Sequence, residues 1–260
     1  MNQAERRLYL IHTLLSERPS CRRQEIPKDA ARQRVLLRGL MNVRPAKQIS
    51  PEFLSVQDEY LRQELSEAGV THVEDLQPVS GDLYLWQGDI TKLSCGAIVN
   101  AANSGMTGCY VLNHACIDNC IHTYAGVQLR LDCAEIMEKQ GHEEPTGQAK
   151  LTRAYNLPCS FVLHTVGPIV TGEPTKEDEQ LLASCYRSCL SLAEENGVKS
   201  IAFCCISTGE FHFPNQEAAE IAVRTVREFL EQQTTSVERV IFNVFKDLDK
   251  EIYERLLQRA

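Results

Sequence analysis

The sequence predicts an α/β fold preceded by an N-terminal helical extension, and two observations support this prediction. From residue 83 onward, short runs of β-branched and other apolar residues alternate with segments whose apolar residues recur at helical spacing. The preceding part of the chain is more polar and shows helical patterns, and Pro78 and Gly81 separate it from the first apolar run. We therefore predict a helical extension over residues 1–80 and an α/β domain over residues 81–260.

The composition argues against several classes of protein. The 260 residues are 43% hydrophobic and 24% charged, and no apolar run approaches the roughly 20 residues that span a bilayer, so we expect no membrane insertion. The start of the chain lacks the pattern of a secretory signal, and the eleven cysteines are odd in number, which favours a cytoplasmic protein with reduced thiols. A net charge of -8 argues against nucleic acid as a partner, because that binding depends on clustered Lys and Arg. A small phosphorylated ligand stays compatible, since backbone N–H groups can hold it.

One helix of the extension is defined by residues at both of its ends. Ser50 followed by Pro51 is typical of a helix start, because serine accepts hydrogen bonds from free N–H groups and proline is tolerated at the first helical position. Gly69 is expected to end the helix, and the apolar residues between these points recur at helical spacing. We interpret it as a scaffold helix that packs on the main domain.

The elements of the α/β domain follow one another along the chain. The runs typical of strands are LYLWQG, AIVNAA, FVLHTV, IAFCCI and RVIFNVF. The runs typical of amphipathic helices are GVQLRLDCAEIMEKQ, EDEQLLASCYRSCLSLAEEN, NQEAAEIAVRTVREFLEQ and DLDKEIYERLLQR. Because open α/β sheets bind ligands beyond the carboxyl ends of their strands, polar residues at these ends are the candidates for function.

Three segments place polar or small residues at strand ends. In GDIT, Asp89 either accepts from an exocyclic amine of a ligand or only caps the turn. In AIVNAANSG, Asn100 and Asn103 end a strand at the mouth of the expected cleft, although either side chain can instead bind its own backbone. In CCISTGEFHFPN, the small residues 207–209 allow close approach of the backbone, whose N–H groups can hold phosphate oxygens.

Taken in order, GDIT, VNAAN, GQAKLTRAYNLPCSFVLHTVGP and ISTGEFHFP resemble the macrodomain family, specifically its ADP-ribosyl-hydrolysing MacroD-type branch. The resemblance covers about residues 83–260, and it implies that the domain predicted over residues 81–260 is a macrodomain. It implies a three-layer α/β/α fold with a mixed central sheet and a cleft for ADP-ribose.

The resemblance also implies roles for individual residues. It makes Asp89 the contact of the adenine amine, with Ile90 alongside, and Asn103 the residue that holds the distal ribose. The run CIDNCIH aligns with the end of the family's catalytic loop, which makes Asp118 a catalytic residue together with Asn103. The other implied ligand contacts are Cys116, Ile117 and Asn119 in this run, and Ser207, Thr208, Gly209, Glu210 and Phe211 around the pyrophosphate and distal ribose.

The catalytic loop departs from the family pattern, because a run of glycines is replaced by SGMTGCYVLNHACIDNCIHTYAG. In this insert Cys109, His114 and Cys116 precede Asp118. Two thiolates and an imidazole are ligands that Zn²⁺ prefers, and three protein ligands leave a fourth position open, as in catalytic zinc sites. On spacing alone, the alternative is that two cysteines pack near a histidine by coincidence. The insert and His212, where relatives usually have glycine, resemble a zinc-containing subgroup, and this resemblance implies bound Zn²⁺.

Other cysteines and histidines are interpreted as structural. Cys120 and His122 occupy positions where zinc-free relatives also carry Cys and His, so packing is the simpler role for them. Cys204 and Cys205 lie in an apolar run and are expected in the core. His164 follows the apolar run FVL and is expected to be an interior histidine with its hydrogen bonds satisfied.

The resemblance and the insert together imply a zinc-dependent hydrolase that removes ADP-ribose from mono-ADP-ribosylated protein by breaking the glycosidic bond at the distal ribose. A non-catalytic ADP-ribose-binding module and an O-acetyl-ADP-ribose deacetylase are alternatives that use the same cleft. The resemblance further implies a lipoylated carrier protein as the modified partner. The sequence leaves open whether zinc activates water or orients the ribose, and whether the extension contacts the partner or only covers the sheet.

Overall fold

A computed structural model describes residues 1–18, 25–232 and 235–258 of the chain. Within these ranges the extension contains three helices: α1 (Gln3–Ser16), α2 (Ala30–Asn42) and α3 (Pro51–Ala68). Helix α3 has the ends that the sequence predicts, since the Ser50 side chain accepts a hydrogen bond from the N–H of Phe53 and Gly69 adopts a φ of 84° after the last turn.

A seven-stranded mixed sheet lies at the centre of the fold. The strands in the described residues are β1 (Thr71–His72), β2 (Pro78–Ser80), β3 (Leu83–Gln87), β4 (Leu93–Ser94), β5 (Ala97–Ala102), β6 (Ala149–Arg153), β7 (Phe161–Val166), β8 (Ser200–Phe203) and β9 (Arg239–Val244). The sheet order is β2-β3-β9-β8-β5-β7-β6, and β1 pairs separately with β4. The five central strands are parallel, and β2 and β6 run antiparallel at the two edges. The domain boundary at residue 80 stays a prediction, although β1 and β2, which precede it, already pair with strands of the α/β part.

In the part of the chain that the structure describes, five further helices flank the sheet: α4 (Ile117–Ala125), α5 (Val127–Gln140), α6 (Lys176–Glu195), α7 (Asn215–Gln232) and α8 (Asp247–Gln258). Helices α6, α7 and α8 pack side by side, and α4 and α5 form a second group beside β5 and β6. The predicted α/β fold with a mixed central sheet and an N-terminal helical extension is therefore confirmed. The last residue of the final predicted helix, at position 259, lies outside the described residues.

Two large buried clusters of apolar side chains form most of the core in the described residues, beside a small third cluster. The largest one surrounds the sheet, and the second one joins the three helices of the extension around residues such as Leu10 and Phe53. Val127 of α5 also belongs to the second cluster, so the extension packs directly on the α/β part. Within the described ranges, no helix is both long and apolar enough to cross a membrane.

Arg130 of α5 joins the extension to the loop between β5 and α4. Its side chain is 6% exposed, and its guanidinium donates hydrogen bonds to main-chain carbonyls on both sides. The acceptor in the loop is Thr107, at 2.7 Å from Nε. The acceptors at the end of α2 are Met41, Asn42 and Arg44. One buried cation thus satisfies carbonyls of two parts of the chain that are far apart in sequence.

Replacing Arg130 with methionine is expected to lower the free energy of unfolding by about 3 kcal/mol, because buried carbonyl oxygens lose a charged donor and have no water to replace it. Urea denaturation followed by circular dichroism measures this change. The matched control is Arg224→Met, since Arg224 is an exposed arginine of α7. Equal stability of the two variants would contradict the role given to Arg130.

Candidate active site

The carboxyl ends of the five parallel strands bring the predicted site segments to one edge of the sheet. Asp89 follows β3, the loop of residues 204–213 follows β8, and Asn103 follows β5. Neighbouring segments are tied together, since the Asn243 side chain donates to the carbonyl of Gly88 at 3.0 Å. This edge is where α/β sheets place their ligands.

Asp89 and Ile90 lie at the β3 end of this edge. Asp89 Oδ1 accepts hydrogen bonds from the N–H and the hydroxyl of Thr91, so this residue does cap its turn. Its Oδ2 lies 4.0 Å from Lys92 Nζ. The side chain of Ile90 is buried, so this residue can reach a ligand only through its main chain. The sequence reasoning missed Phe245, which directly follows β9 and is 76% exposed. The signal for it was an aromatic residue at the end of the run RVIFNVF.

The loop after β8 presents main-chain donors to the edge. Gly209, Glu210 and Phe211 make no main-chain N–H hydrogen bond with the part of the chain that the structure describes. Ser207 has a φ of 64° and His212 a φ of 57°, so the backbone turns sharply on both sides of residues 209–211. Free N–H groups on a turning backbone are suited to anionic oxygens.

Asp118 lies in the first turn of α4 and is held by two asparagines. Its Oδ1 accepts from Asn100 Nδ2 at 2.8 Å, and its Oδ2 accepts from Asn103 Nδ2 at 3.2 Å. Burial raises the pKa of Asp118 to about 6, although the hydrogen bonds from the two asparagines and the charge of Arg130 act in the opposite direction. The carboxylate is thus fixed in orientation and shielded from bulk water. The structure brings the two predicted catalytic residues, Asn103 and Asp118, into direct contact.

Asn100 is fully buried beneath the site, which corrects the expectation that it lies at the mouth of the cleft. Its Nδ2 lies 3.1 Å from His164 Nδ1, and His164 Nε2 lies 2.9 Å from Thr152 Oγ1. Burial lowers the pKa of His164 to about 3, so the ring is neutral. Because Asn100 Nδ2 is a donor, His164 Nδ1 accepts and Nε2 carries the proton toward Thr152. His164 is therefore an interior histidine with both nitrogens satisfied, as the sequence predicts.

His122 lies under Asp118 and belongs to a buried group with Cys133 and His164 whose polar atoms lie within 4.8 Å of one another. His122 Nε2 is 3.6 Å from Asp118 Oδ1. Burial lowers the pKa of His122 well below its usual range, so this contact joins a neutral ring to a carboxyl group and is not an ion pair. Both nitrogens of His164 already have hydrogen-bond partners, which favours a packing role in the interior for this group.

Cys109, His114 and Cys116 form a second group, which is partly exposed, and their ligand atoms also lie within 4.8 Å of one another. Cys109 Sγ is 3.6 Å from His114 Nδ1. A tetrahedral zinc ion with bonds of about 2.3 Å to sulfur and about 2.0 Å to nitrogen would separate these two atoms by about 3.6 Å. The three side chains therefore fit a tetrahedral metal ion with one position left for water or a ligand.

The surroundings of His114 and Cys116 also fit a metal centre at the active site. His114 Nε2 lies 3.5 Å from Glu210 Oε1, and metal-binding histidines commonly orient their second nitrogen toward a carboxylate in this way. This contact joins the insert to the loop after β8. Cys116 is the N-cap residue of α4, two residues before Asp118. The group thus lies at the same end of the edge as Asp118 and Asn103.

Comparison with known proteins agrees with this fold. The pattern of the family described as "Macro domain" matches residues 99–222. A protein-ADP-ribose hydrolase of Treponema medium is 58% identical over 261 residues, with 99% of this chain and 100% of that protein covered. One of Staphylococcus aureus is 51% identical over 253 residues, with 96% and 94% covered. The structure of a Trypanosoma brucei macrodomain in complex with ADP-ribose is 31% identical, has a TM-score of 0.66, and matches over 89% of this chain and 97% of that one.

The fold and the edge define a class of protein. A sheet with a parallel centre, which carries asparagines, a carboxylate and a loop of free N–H groups at its carboxyl ends, is typical of α/β proteins that bind phosphorylated ligands. Within this class, the chain belongs to the macrodomain family.

Proposed function

We propose that the protein is a zinc-dependent hydrolase that releases ADP-ribose from mono-ADP-ribosylated protein. The observation that carries this proposal is the contact of Asp118 with Asn103 directly beside the group of Cys109, His114 and Cys116. The names of the relatives in Treponema medium and Staphylococcus aureus, both protein-ADP-ribose hydrolases, support the activity.

The binding of ADP-ribose follows from the order of groups along the edge. The exposed ring of Phe245 suits the flat adenine at one end, and Asp89 Oδ2, whose Lys92 contact is long at 4.0 Å, suits the adenine amine. The N–H groups of residues 209–211 suit the pyrophosphate in the middle. Asn103 then meets the distal ribose at the other end, which is also where Asp118 and the metal-binding group lie.

Zinc held by Cys109, His114 and Cys116 would supply a Lewis acid that lowers the pKa of a bound water or orients the distal ribose. The side chains of the protein then have separate tasks. Asn103 fixes the sugar, and Asp118 aligns the attacking water or accepts its proton. Hydrolysis joins the water oxygen to C1 of the ribose and breaks the bond from C1 to the substrate side chain, which leaves with a proton.

The proposed substrate protein is a lipoylated carrier, as the resemblance implies. Val111 and Leu112 of the insert are 59% and 62% exposed, and they form an apolar surface beside the proposed metal site. Such a surface suits a carrier whose modified residue must reach the ribose end of the cleft.

A time course of ADP-ribose release from a mono-ADP-ribosylated carrier protein tests the proposal. We expect repeated turnover by the purified protein, with less release when the carrier lacks its lipoyl group. Tight binding of ADP-ribose without any release would instead identify a non-catalytic binding module. Faster reaction with O-acetyl-ADP-ribose than with the modified protein would favour the deacetylase.

A further inference from the structure

The segment of residues 110–115, which connects the proposed metal ligands, forms no helix or strand and is hydrogen-bonded to helix α2 of the extension. Arg38 of α2 lies directly behind it. Arg38 Nη2 donates to the carbonyl of His114 at 2.6 Å, and Nη1 lies 3.3 Å from the carbonyl of Asn113. The main chain of one proposed ligand is thus held by a side chain 76 positions earlier in the sequence.

Arg38 also acts on a second ligand through Asn119. Its Nη2 donates to Asn119 Oδ1 at 3.1 Å, which turns the Asn119 amide nitrogen toward the insert. That nitrogen donates to the carbonyls of Cys109 at 3.3 Å and Val111 at 3.0 Å. One guanidinium therefore orders the backbone at both Cys109 and His114.

Other residues of α2 also contact the same segment. Asn42 Oδ1 accepts from the N–H of Asn113 at 2.9 Å, and its Nδ2 donates to Thr123 of α4 at 2.6 Å. Asn113 has a φ of 54°, a conformation that this hydrogen bond stabilises. A side chain at Gly39 would place its Cβ 2.7 Å from Leu112 Cδ1, so the glycine lets the insert lie close to the helix.

We propose that the N-terminal extension positions the metal ligands through Arg38, so that α2 is a structural part of the zinc site and not only a cover for the sheet. This proposal rests on the proposed function. Groups that orient metal ligands change metal affinity by about 10–100-fold when they are replaced, because the free ligands must then be ordered by the metal itself. Arg38 is accordingly a positioning residue for His114 and Cys109.

The test compares the full-length protein with Arg38→Met and Arg38→Lys. Each protein is loaded with zinc, and release of the metal to a chromogenic chelator is timed. We expect zinc release to be about 10–100-fold faster in Arg38→Met than in the unchanged protein, with a smaller increase in Arg38→Lys, which keeps the charge. The matched control is Arg34→Met on the same helix, where Arg34 pairs with Glu64 at the surface, and its release rate is expected to be unchanged.

Two further measurements separate positioning from folding. The denaturation midpoint of Arg38→Lys and the affinity of both variants for ADP-ribose, measured by calorimetry, are expected to stay close to those of the unchanged protein. Zinc release at the unchanged rate in both Arg38 variants would overturn this proposal while the hydrolase proposal stands. An unchanged protein that binds no zinc would overturn the zinc dependence and this proposal together. An unchanged protein that binds zinc but releases no ADP-ribose would overturn the hydrolase proposal, and the zinc-release rates would still decide the role of Arg38.

Discussion

Replacing Asp118 with asparagine is expected to slow the release of ADP-ribose by at least about 100-fold, the range over which a positioned acid or base contributes to a rate. Both carboxylate oxygens of Asp118 accept from asparagine amides. An amide at this position can accept only with its single oxygen, so its nitrogen must face another donor, either Asn100 or Asn103. The variant therefore loses the negative charge that would orient the attacking water, and the side chain at position 118 loses its fixed orientation.

Binding and catalysis can be separated in the same variant. The N–H groups of residues 209–211 and the aromatic ring of Phe245 lie in other loops, so the affinity of Asp118→Asn for ADP-ribose is expected to change less than about tenfold. Asp82→Asn is the control, since Asp82 is exposed and its contact with β9 is through its main-chain carbonyl, which accepts from the N–H of Val240. Single-turnover release and calorimetry give the two quantities. Release at more than a tenth of the original rate in Asp118→Asn would contradict a catalytic role.

Helices and strands could be predicted wherever a segment had a single clear pattern of apolar residues. Strands β5 and β7 are short apolar runs, and α7 has a clear apolar face, so each was found close to its true bounds. Strand β6 was missed because the sequence AKLTR at the edge of the sheet is half exposed and carries lysine and arginine. The run IAFCCI ends as a strand at Phe203, since the buried residues after it already belong to the loop that turns at Ser207.

The sequence predicted those contacts of the site that lie within short motifs, and it did not predict contacts between distant segments. The pairing of Asn103 with Asp118 and the closeness of the three proposed metal ligands follow from segments within one part of the chain. The contact of Asn100 with His164 does not, because it depends on the register of β5 against β7, in which these two residues are direct partners. The contact of Arg38 with His114 depends on how two helices pack, and no local pattern encodes it.

Replacing Cys116 with serine is expected to remove stoichiometric zinc and to slow ADP-ribose release by at least about 100-fold. A neutral hydroxyl is a poor substitute for a thiolate as a ligand of zinc, and the two ligands that remain cannot hold the ion in place. Metal analysis of the purified protein measures the first effect, and the time course of release measures the second. The affinity for ADP-ribose is expected to fall less than the rate, because the pyrophosphate and adenine contacts are formed by other loops.

The control for this experiment is Cys95→Ser, since Cys95 is a free, partly buried cysteine that donates to the carbonyl of Ala97 away from the insert. That variant is expected to keep its zinc and its rate. Chelation of the unchanged protein should reproduce the loss of rate, and added zinc should restore it, whereas added zinc should not restore Cys116→Ser. Full activity of the chelated protein would show that Asp118 and Asn103 are sufficient without metal, and the insert would then be a structural feature that brings Cys109 and His114 together for another reason.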